Sequence, residues 1–200
     1  MEIKLVQRSG LLPAYHSIGL SYGITSDLPC WNDVNGGPLN ERDRMRVVAK
    51  KLCVKGGGED KFLRMIYFWW DVKAPRFWWQ EADTYKVGTV AQSESTMHTI
   101  HKVDSFSQDM FEYEIDQSIL DALDVLLDKY KKQQTPENLV LLKNALPEGF
   151  LQRRIWCLSL AQMKNIYNQR RRHRLPQWQT VCDAFYSATP IAFIEMYKEF

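Results

Sequence analysis

From Phe62 to Val72 the chain reads FLRMIYFWWDV, a run of aromatic, branched and long apolar side chains that water would not tolerate as a loop. Such a run reads as a buried strand. Ala74-Pro75 ends it, because proline cannot donate to a sheet ladder. A second run of the same kind, FLQRRIWCL, covers residues 150 to 158, and Ile3 to Val6 reads as a short opening strand. Strands this apolar need cover, and the intervening sequence supplies it as helices.

Asn40 can cap a helix over about 41 to 53, with Glu41 and Asp43 in its first turn and Gly56-Gly57-Gly58 after its end. Pro75 opens a helical stretch through RFWWQEADTY, and Pro136 opens another that ends near Leu146-Pro147-Glu148-Gly149. Leu160, Met163 and Tyr167 share one helical face, and Pro176 starts a helix carrying Trp178, Val181, Cys182 and Phe185 inward. The expected fold is therefore α/β (α+β), with a mixed central sheet built on 62 to 73 and 150 to 158 and flanked by helices. No internal repeat or linker interrupts it, so residues 1 to 200 are read as a single domain.

Within that domain, residues 104 to 146 form an acidic helical insert. Between Asp104 and Asp128 lie eight acidic residues and no Lys or Arg. Ile119, Leu123, Leu126, Leu127 and Tyr130 recur there at helical spacing, so one face packs and the carboxylates face water. Residues 27 to 40, dense in Gly, Pro, Asn and Asp, read as an ordered loop.

Several classes are excluded by composition. Lys+Arg 26 against Asp+Glu 24 gives a net charge of +2, which argues against a dedicated coat for nucleic acid. No apolar run approaches the roughly 20 residues that cross a bilayer, and MEIKLVQRSG is too polar for a signal peptide. The expectation is a soluble cytoplasmic protein. Cys30, Cys53, Cys157 and Cys182 form no CxxC pair, so reduced and mostly buried thiols are expected and no metal site. There is no P-loop, no Rossmann spacing around Gly56 to Gly58, and no H-E-x-x-H or EF-hand pattern.

Two segments carry candidate chemistry. In NQRRRHRLPQW, Arg170, Arg171, Arg172 and Arg174 place four guanidinium groups within five positions. They suit a phosphate, which a planar fork meets bidentately, or else they mark a helix end at the surface or a subunit interface. On a helix Arg170 and Arg174 would share a face. In QSESTMH, small hydroxyl side chains precede a helix, so Ser93 and Ser95 with free backbone N–H groups could receive an anion, or simply cap the helix. Ser95 and His98 lack a nucleophile elbow and an orienting acid, which argues against a hydrolase.

Read in order, these pieces resemble the flavin-dependent thymidylate synthases, and more closely a group of phage and prophage proteins related to them. The resemblance runs from about Phe62 to the end of the 176–187 helix: FLRMIYFWWDV, then RFWWQEADTYK, QSESTMHTIHKVD, the acidic insert, LPEG and NQRRRHRLPQW. In the synthases the loop after the aromatic helix carries a motif of the type R-H-R-x-x-S-x-N-x-x-S-x-R-Y. Its Arg and His contact flavin and nucleotide, and its later serine lies against the pyrimidine. Matching that serine to Ser95 sets Tyr85, Lys86 and Val87 against Arg-His-Arg, Gln92 against Asn, and Met97-His98 against Arg-Tyr. A nucleotide-binding Arg followed by Ala-Gln falls on Arg172 and Pro176-Gln177.

The resemblance implies a ThyX-like domain that binds a nucleotide or nucleotide-derived phosphorylated ligand without turnover, with Ser93, Ser95, Lys86, Arg170, Arg171, Arg172 and Gln177 as ligand contacts. In a phage setting it extends to sequestering a host defence nucleotide signal in the host cytoplasm. It implies a homo-oligomer, in the family a tetramer, with sites between subunits. No cofactor is expected under this reading. The alternative is a flavin-dependent enzyme that methylates or hydroxymethylates dUMP, and that reading requires FAD.

Overall fold

The computed structural model describes residues 1–24 and 39–197, with side chains for 1–24 and 44–197. The order is β1 (Glu2–Ser9), α1 (Leu11–Leu20), α2 (Leu39–Cys53), a 3-10 turn (Lys61–Met65), β2 (Tyr67–Pro75), α3 (Arg76–Ala82), β3 (Thr89–Ser93) and α4 (Thr96–Thr99). There follow α5 (Gln117–Lys132), α6 (Pro136–Ala145), β4 (Leu151–Ser159), α7 (Leu160–Arg170) and α8 (Pro176–Ala188). The strands form one sheet in the order β1-β2-β4-β3.

This is the expected α/β class, and both long apolar runs contribute strands. The sheet is antiparallel throughout, where mixed pairing was expected. Burial along β2 shows the reason: Phe68, Trp70, Val72 and Ala74 are buried while Tyr67, Trp69, Asp71 and Lys73 are not. Such alternation belongs to antiparallel sheets with one covered face, whereas parallel strands are apolar on both sides. The strand also begins later than the sequence suggests. Phe62 and Leu63 are consecutive and both buried, a pattern that a two-residue alternation cannot produce, and they sit in the 3-10 turn.

By its contacts the chain divides into two compact units. The first comprises Met1–Glu2, Asp71–Thr84 and Ala91–Ile155; the second comprises Ile3–Trp70, Tyr85–Val90 and Trp156–Phe200.

In the first unit, α3 buries Trp78 and Trp79, whose rings meet edge to face at 4.8 Å. The Trp79 indole N–H donates to the Gln152 carbonyl at 2.9 Å. Arg154 stacks over that indole, its guanidinium carbon 4.3 Å from the ring centroid, and pairs with Asp83 at 2.9 Å. Pro75 precedes α3 as its cap rather than opening its first turn. The acidic insert is built around α5 and α6. The Asp116 carboxylate accepts the Ser118 N–H at 2.8 Å, and Lys129, Lys131 and Lys132 fill the last turn, so α5 is charged to suit its own dipole. Thr135 caps α6, with Pro136 in its first turn as expected. The packing face of α5 is Leu120, Leu123, Leu127 and Tyr130, joined by Ile100, Phe106 and Leu142. Ile119, expected on that face, is 39% exposed; the periodic series starts one residue later, at Leu120.

In the second unit, Trp70 of β2 stacks on Phe68 and meets Phe185 of α8 at 5.3 Å, and Trp156 of β4 meets Phe185 at 6.0 Å. α7 and α8 bury Leu160, Met163 and Tyr167, and Trp178, Val181, Cys182 and Phe185, as their spacing predicts. α1, which the sequence reading did not anticipate, buries Ala14, Tyr15 and Ile18. It is entered through Gly10, whose φ is 90° and whose position is so close to Met65 that a Cβ would stand 1.9 Å from the Met65 carbonyl oxygen. α2 begins at Leu39, so Asn40 lies inside it rather than capping it. The expected loop over 27 to 40 falls almost wholly outside the described residues, as does Cys30.

Candidate functional site

The arginine segment is not one helical face. α7 stops at Arg170, and Arg171 caps it by donating its N–H to the Tyr167 carbonyl at 2.9 Å. Arg170 and Arg174 therefore do not share a helix. Arg170 is held inside the second unit: its Nε donates to the Tyr85 hydroxyl at 2.6 Å, and its guanidinium carbon lies 5.4 Å from the Tyr85 ring and 5.1 Å from the Trp178 ring. The Tyr85 hydroxyl in turn donates to Gln169 at 3.0 Å. Arg171 pairs with Asp183 at 2.6 Å and stacks over Tyr167. Both guanidinium groups fasten α7 to neighbouring elements.

Arg172 is exposed in the turn between α7 and α8. Gln177 lies in the first turn of α8 and is only 2% exposed, so its amide belongs to the interior. Lys86 is exposed in the turn before β3 and makes no hydrogen bond or ion pair among the described residues. Thus the structure gathers Arg170, Tyr85 and Trp178 into one cluster in that unit.

Ser93 and Ser95 belong to the first unit. Ser93 ends the edge strand β3 and is exposed. β3 pairs with β4 at the edge of the sheet, where its small side chains face water. Ser95 occupies the cap position of α4, which is a single turn, and its hydroxyl makes no capping bond. Its carbonyl accepts from His98 N–H at 2.9 Å, Thr99 N–H at 3.0 Å and the Thr99 hydroxyl at 2.9 Å. One turn supplies little dipole, so the expected helix-start anion site rests on the hydroxyls alone.

The concave features lie elsewhere. In the second unit a cavity of about 660 Å³ opens between α1, α2 and the 3-10 turn, within the size range of small-ligand sites. Ile18, Leu52, Phe62 and Met65 form its apolar wall, and Ser17, Ser21, Tyr22 and Lys61 its polar one. The Lys61 ammonium has no hydrogen bond or ion pair among the described residues, while Glu59 at the rim is paired with Lys55 at 2.7 Å. Arg44 lies over the Tyr22 ring at 5.6 Å, adding a second cation nearby. In the first unit an open groove of about 560 Å³ lies between α3, α4 and α6, with Lys143, Asn144, Met97 and Val140 on its walls. Arg76 in that groove is committed, donating to the Leu146 carbonyl at 3.1 Å and pairing with Glu148 at 3.4 Å. Lys143 has no such partner among the described residues.

Sequence reasoning missed both. The signal for the first was LLPAYHSIGLSYG, where Ala14, Tyr15 and Ile18 recur at helical spacing ahead of two hydroxyl residues. No cluster of His, Cys, Asp and Glu among the described residues could hold a metal ion. Nor is any helix among them long and apolar enough to cross a membrane. Cys53, Cys157 and Cys182 are free thiols; burial pushes Cys53 up to about 11 and Cys182 up to about 12.

The fold is that of the flavin-dependent thymidylate synthases. The ThyX enzyme of Helicobacter pylori, solved with FAD and dUMP, superposes with a TM-score of 0.69 at 14% identity, covering 99% of this chain and 98% of that one. A second structure of that enzyme with FAD and dUMP gives 0.68 at 15% identity, with 99% and 98% covered. No protein-family profile and no curated protein sequence matches the chain.

Proposed function

We propose that this protein binds a nucleotide, or a nucleotide-derived phosphorylated ligand, without turning it over. The observation that carries the reading is the whole-length match to a fold whose solved examples hold FAD and dUMP. The 660 Å³ cavity supports it, offering aromatic and apolar walls for a base, two serines, and for a phosphate the Lys61 ammonium, which has no partner among the described residues. The groove at Lys143 offers a second place for an anion.

The commitments of Arg170 and Arg171 favour binding over flavin chemistry. A flavin dinucleotide carries two phosphates, and among the described lining residues of the larger cavity Lys61 is the one cation. These residues fit a single phosphorylated moiety better than the whole dinucleotide. Homo-oligomerisation, and sequestration of a nucleotide signal, are extensions of this reading.

Thermal shift of the full chain with dUMP, FAD and cyclic dinucleotides tests it, since a ligand that binds only the native state raises its stability. A rise with a phosphorylated nucleotide that is diminished in Lys61→Met supports the proposal. No rise with any of the three compounds refutes it. The visible absorbance of an oxidised flavin in the purified protein would instead establish the alternative enzyme reading.

A further inference from the structure

We infer that the first unit carries a second, smaller site, which takes a free α-amino acid with a single-ring apolar side chain. The cavity lies between β2, the end of β3, α4 and the loops that lead into α5. Its volume is about 200 Å³. That is below the roughly 300 Å³ at which drug-sized ligands begin, and above the roughly 150 Å³ cavity that admits benzene. A nucleotide is too large for it, so this site is independent of the nucleotide reading.

Its floor is apolar: Ile100, Val103, Phe106, Met110 and Phe150. Two opposite charges stand on its walls. Lys73 on β2 is half-buried and makes no hydrogen bond or ion pair among the described residues. Lys73 acts electrostatically on Asp109, whose own carboxyl is bonded to the Ser107 hydroxyl and held below its ordinary value chiefly by that bond. Glu94, just after β3, is fixed by β4. Its Oε1 accepts the Arg153 N–H at 2.9 Å and its own N–H donates to the Arg153 carbonyl at 3.0 Å. The second oxygen of Glu94 takes no hydrogen bond among the described residues. Lys73 and Glu94 do not pair with each other.

An ammonium and a carboxylate oxygen that carry no hydrogen bond among the described residues, set around an apolar hollow, are the complement of a zwitterion. The ligand carboxylate meets Lys73, its ammonium meets Glu94, and its ring packs in the hollow against Phe106 and Phe150, which already meet edge to face at 6.4 Å and line it. The Thr96 hydroxyl on the wall can serve either head group.

Calorimetric titration of the full chain with L-phenylalanine, 3-phenylpropionate and phenethylamine tests the inference. L-Phenylalanine is expected to bind, and each one-charge analogue to bind at least about tenfold more weakly, as the loss of one charge-assisted contact requires. Lys73→Met and Glu94→Gln should each weaken L-phenylalanine by a similar factor. Ile100→Trp, checked for folding by circular dichroism, should abolish binding by filling the hollow. Absence of binding by L-phenylalanine, equal binding of either analogue, or unchanged affinity in folded Lys73→Met overturns the assignment.

Discussion

Arg170 and Tyr85 are joined twice: the guanidinium Nε donates to the phenol oxygen at 2.6 Å, and the same guanidinium lies against the Tyr85 ring at 5.4 Å. Together with Trp178 this makes Arg170 a fastener of α7 and α8. Arg170→Ala should therefore cost about 1.5–3 kcal/mol of stability in urea unfolding, from the lost charge-assisted bond. Arg170→Lys should recover little, because an ammonium lacks the planar fork that stacks on both rings. A stability change under about 0.5 kcal/mol for Arg170→Ala would show that this cluster is not structural.

Lys61→Met should weaken binding of a phosphorylated nucleotide about tenfold to a hundredfold, the worth of one charge-assisted contact, with the melting temperature of the free protein little changed. Arg172→Ala should do the same if the exposed turn after α7 takes part. Titration calorimetry with the compound that gives the largest thermal shift separates the two. Equal affinity in parent and Lys61→Met excludes the 660 Å³ cavity as the site.

Lys164 donates to the Cys53 and Lys55 carbonyls and to Asp60, each at 2.7 Å, with its side chain only 14% exposed. It ties α7 to the end of α2. Lys164→Met leaves two carbonyls and a carboxylate unanswered, and should destabilise by about 3 kcal/mol. Equilibrium unfolding measures it directly, and a neutral result would mean the three acceptors find water at no loss.

Trp70 and Trp79 make a controlled pair. The Trp79 indole N–H is bonded to the Gln152 carbonyl, whereas the buried Trp70 Nε1 has no acceptor among the described residues. Replacement by Phe removes ring area in both cases and strands a carbonyl only at Trp79. Trp79→Phe should be the costlier by about 1–2 kcal/mol. The reverse order in paired unfolding curves would contradict it.

The thiols of Cys53 and Cys182 are raised from 9.0 to about 11 and about 12, both by burial. Above pH 9 the unfolded chain loses protons that the folded chain keeps, so stability must fall with rising pH between the unfolded value and those folded values. Unfolding measured at pH 8 and pH 10.5 should show this loss, and it should be reduced in the Cys53→Ala, Cys182→Ala double variant, with the remainder left to Cys157, Tyr167 and Tyr197, which burial also raises. A loss that persists unchanged in that variant assigns it to other groups.

Much of the fold was legible because it lay in periodicity. Trp178, Val181, Cys182 and Phe185 could face inward only on a helix, and Phe68, Trp70 and Val72 only on a strand with one covered face. What misled was adjacency without period. Phe62-Leu63 read as strand and formed a 3-10 turn, and the shared face that a helix would give Arg170 and Arg174 does not form, because the backbone turns at Arg171. The candidate site was harder to see. Charge density drew attention to Arg170 and Arg171, whose partners Tyr85, Trp178 and Asp183 are remote or unremarkable in sequence. Lys61 and Lys143, each isolated among ordinary neighbours, became conspicuous only when folding placed them beside hollows.

Gly10 bears on how any genetic screen of this protein should be scored. A methyl group there would stand 1.9 Å from the carbonyl oxygen of Met65, a residue that lines the larger cavity. Every L-amino acid at position 10 must open the corner between β1 and α1, and so displaces that wall. Such variants will score as loss of function and map beside the pocket, yet the defect arises in the backbone. Survival data would thus count a steric keystone as a ligand contact unless each variant's folded population is measured alongside.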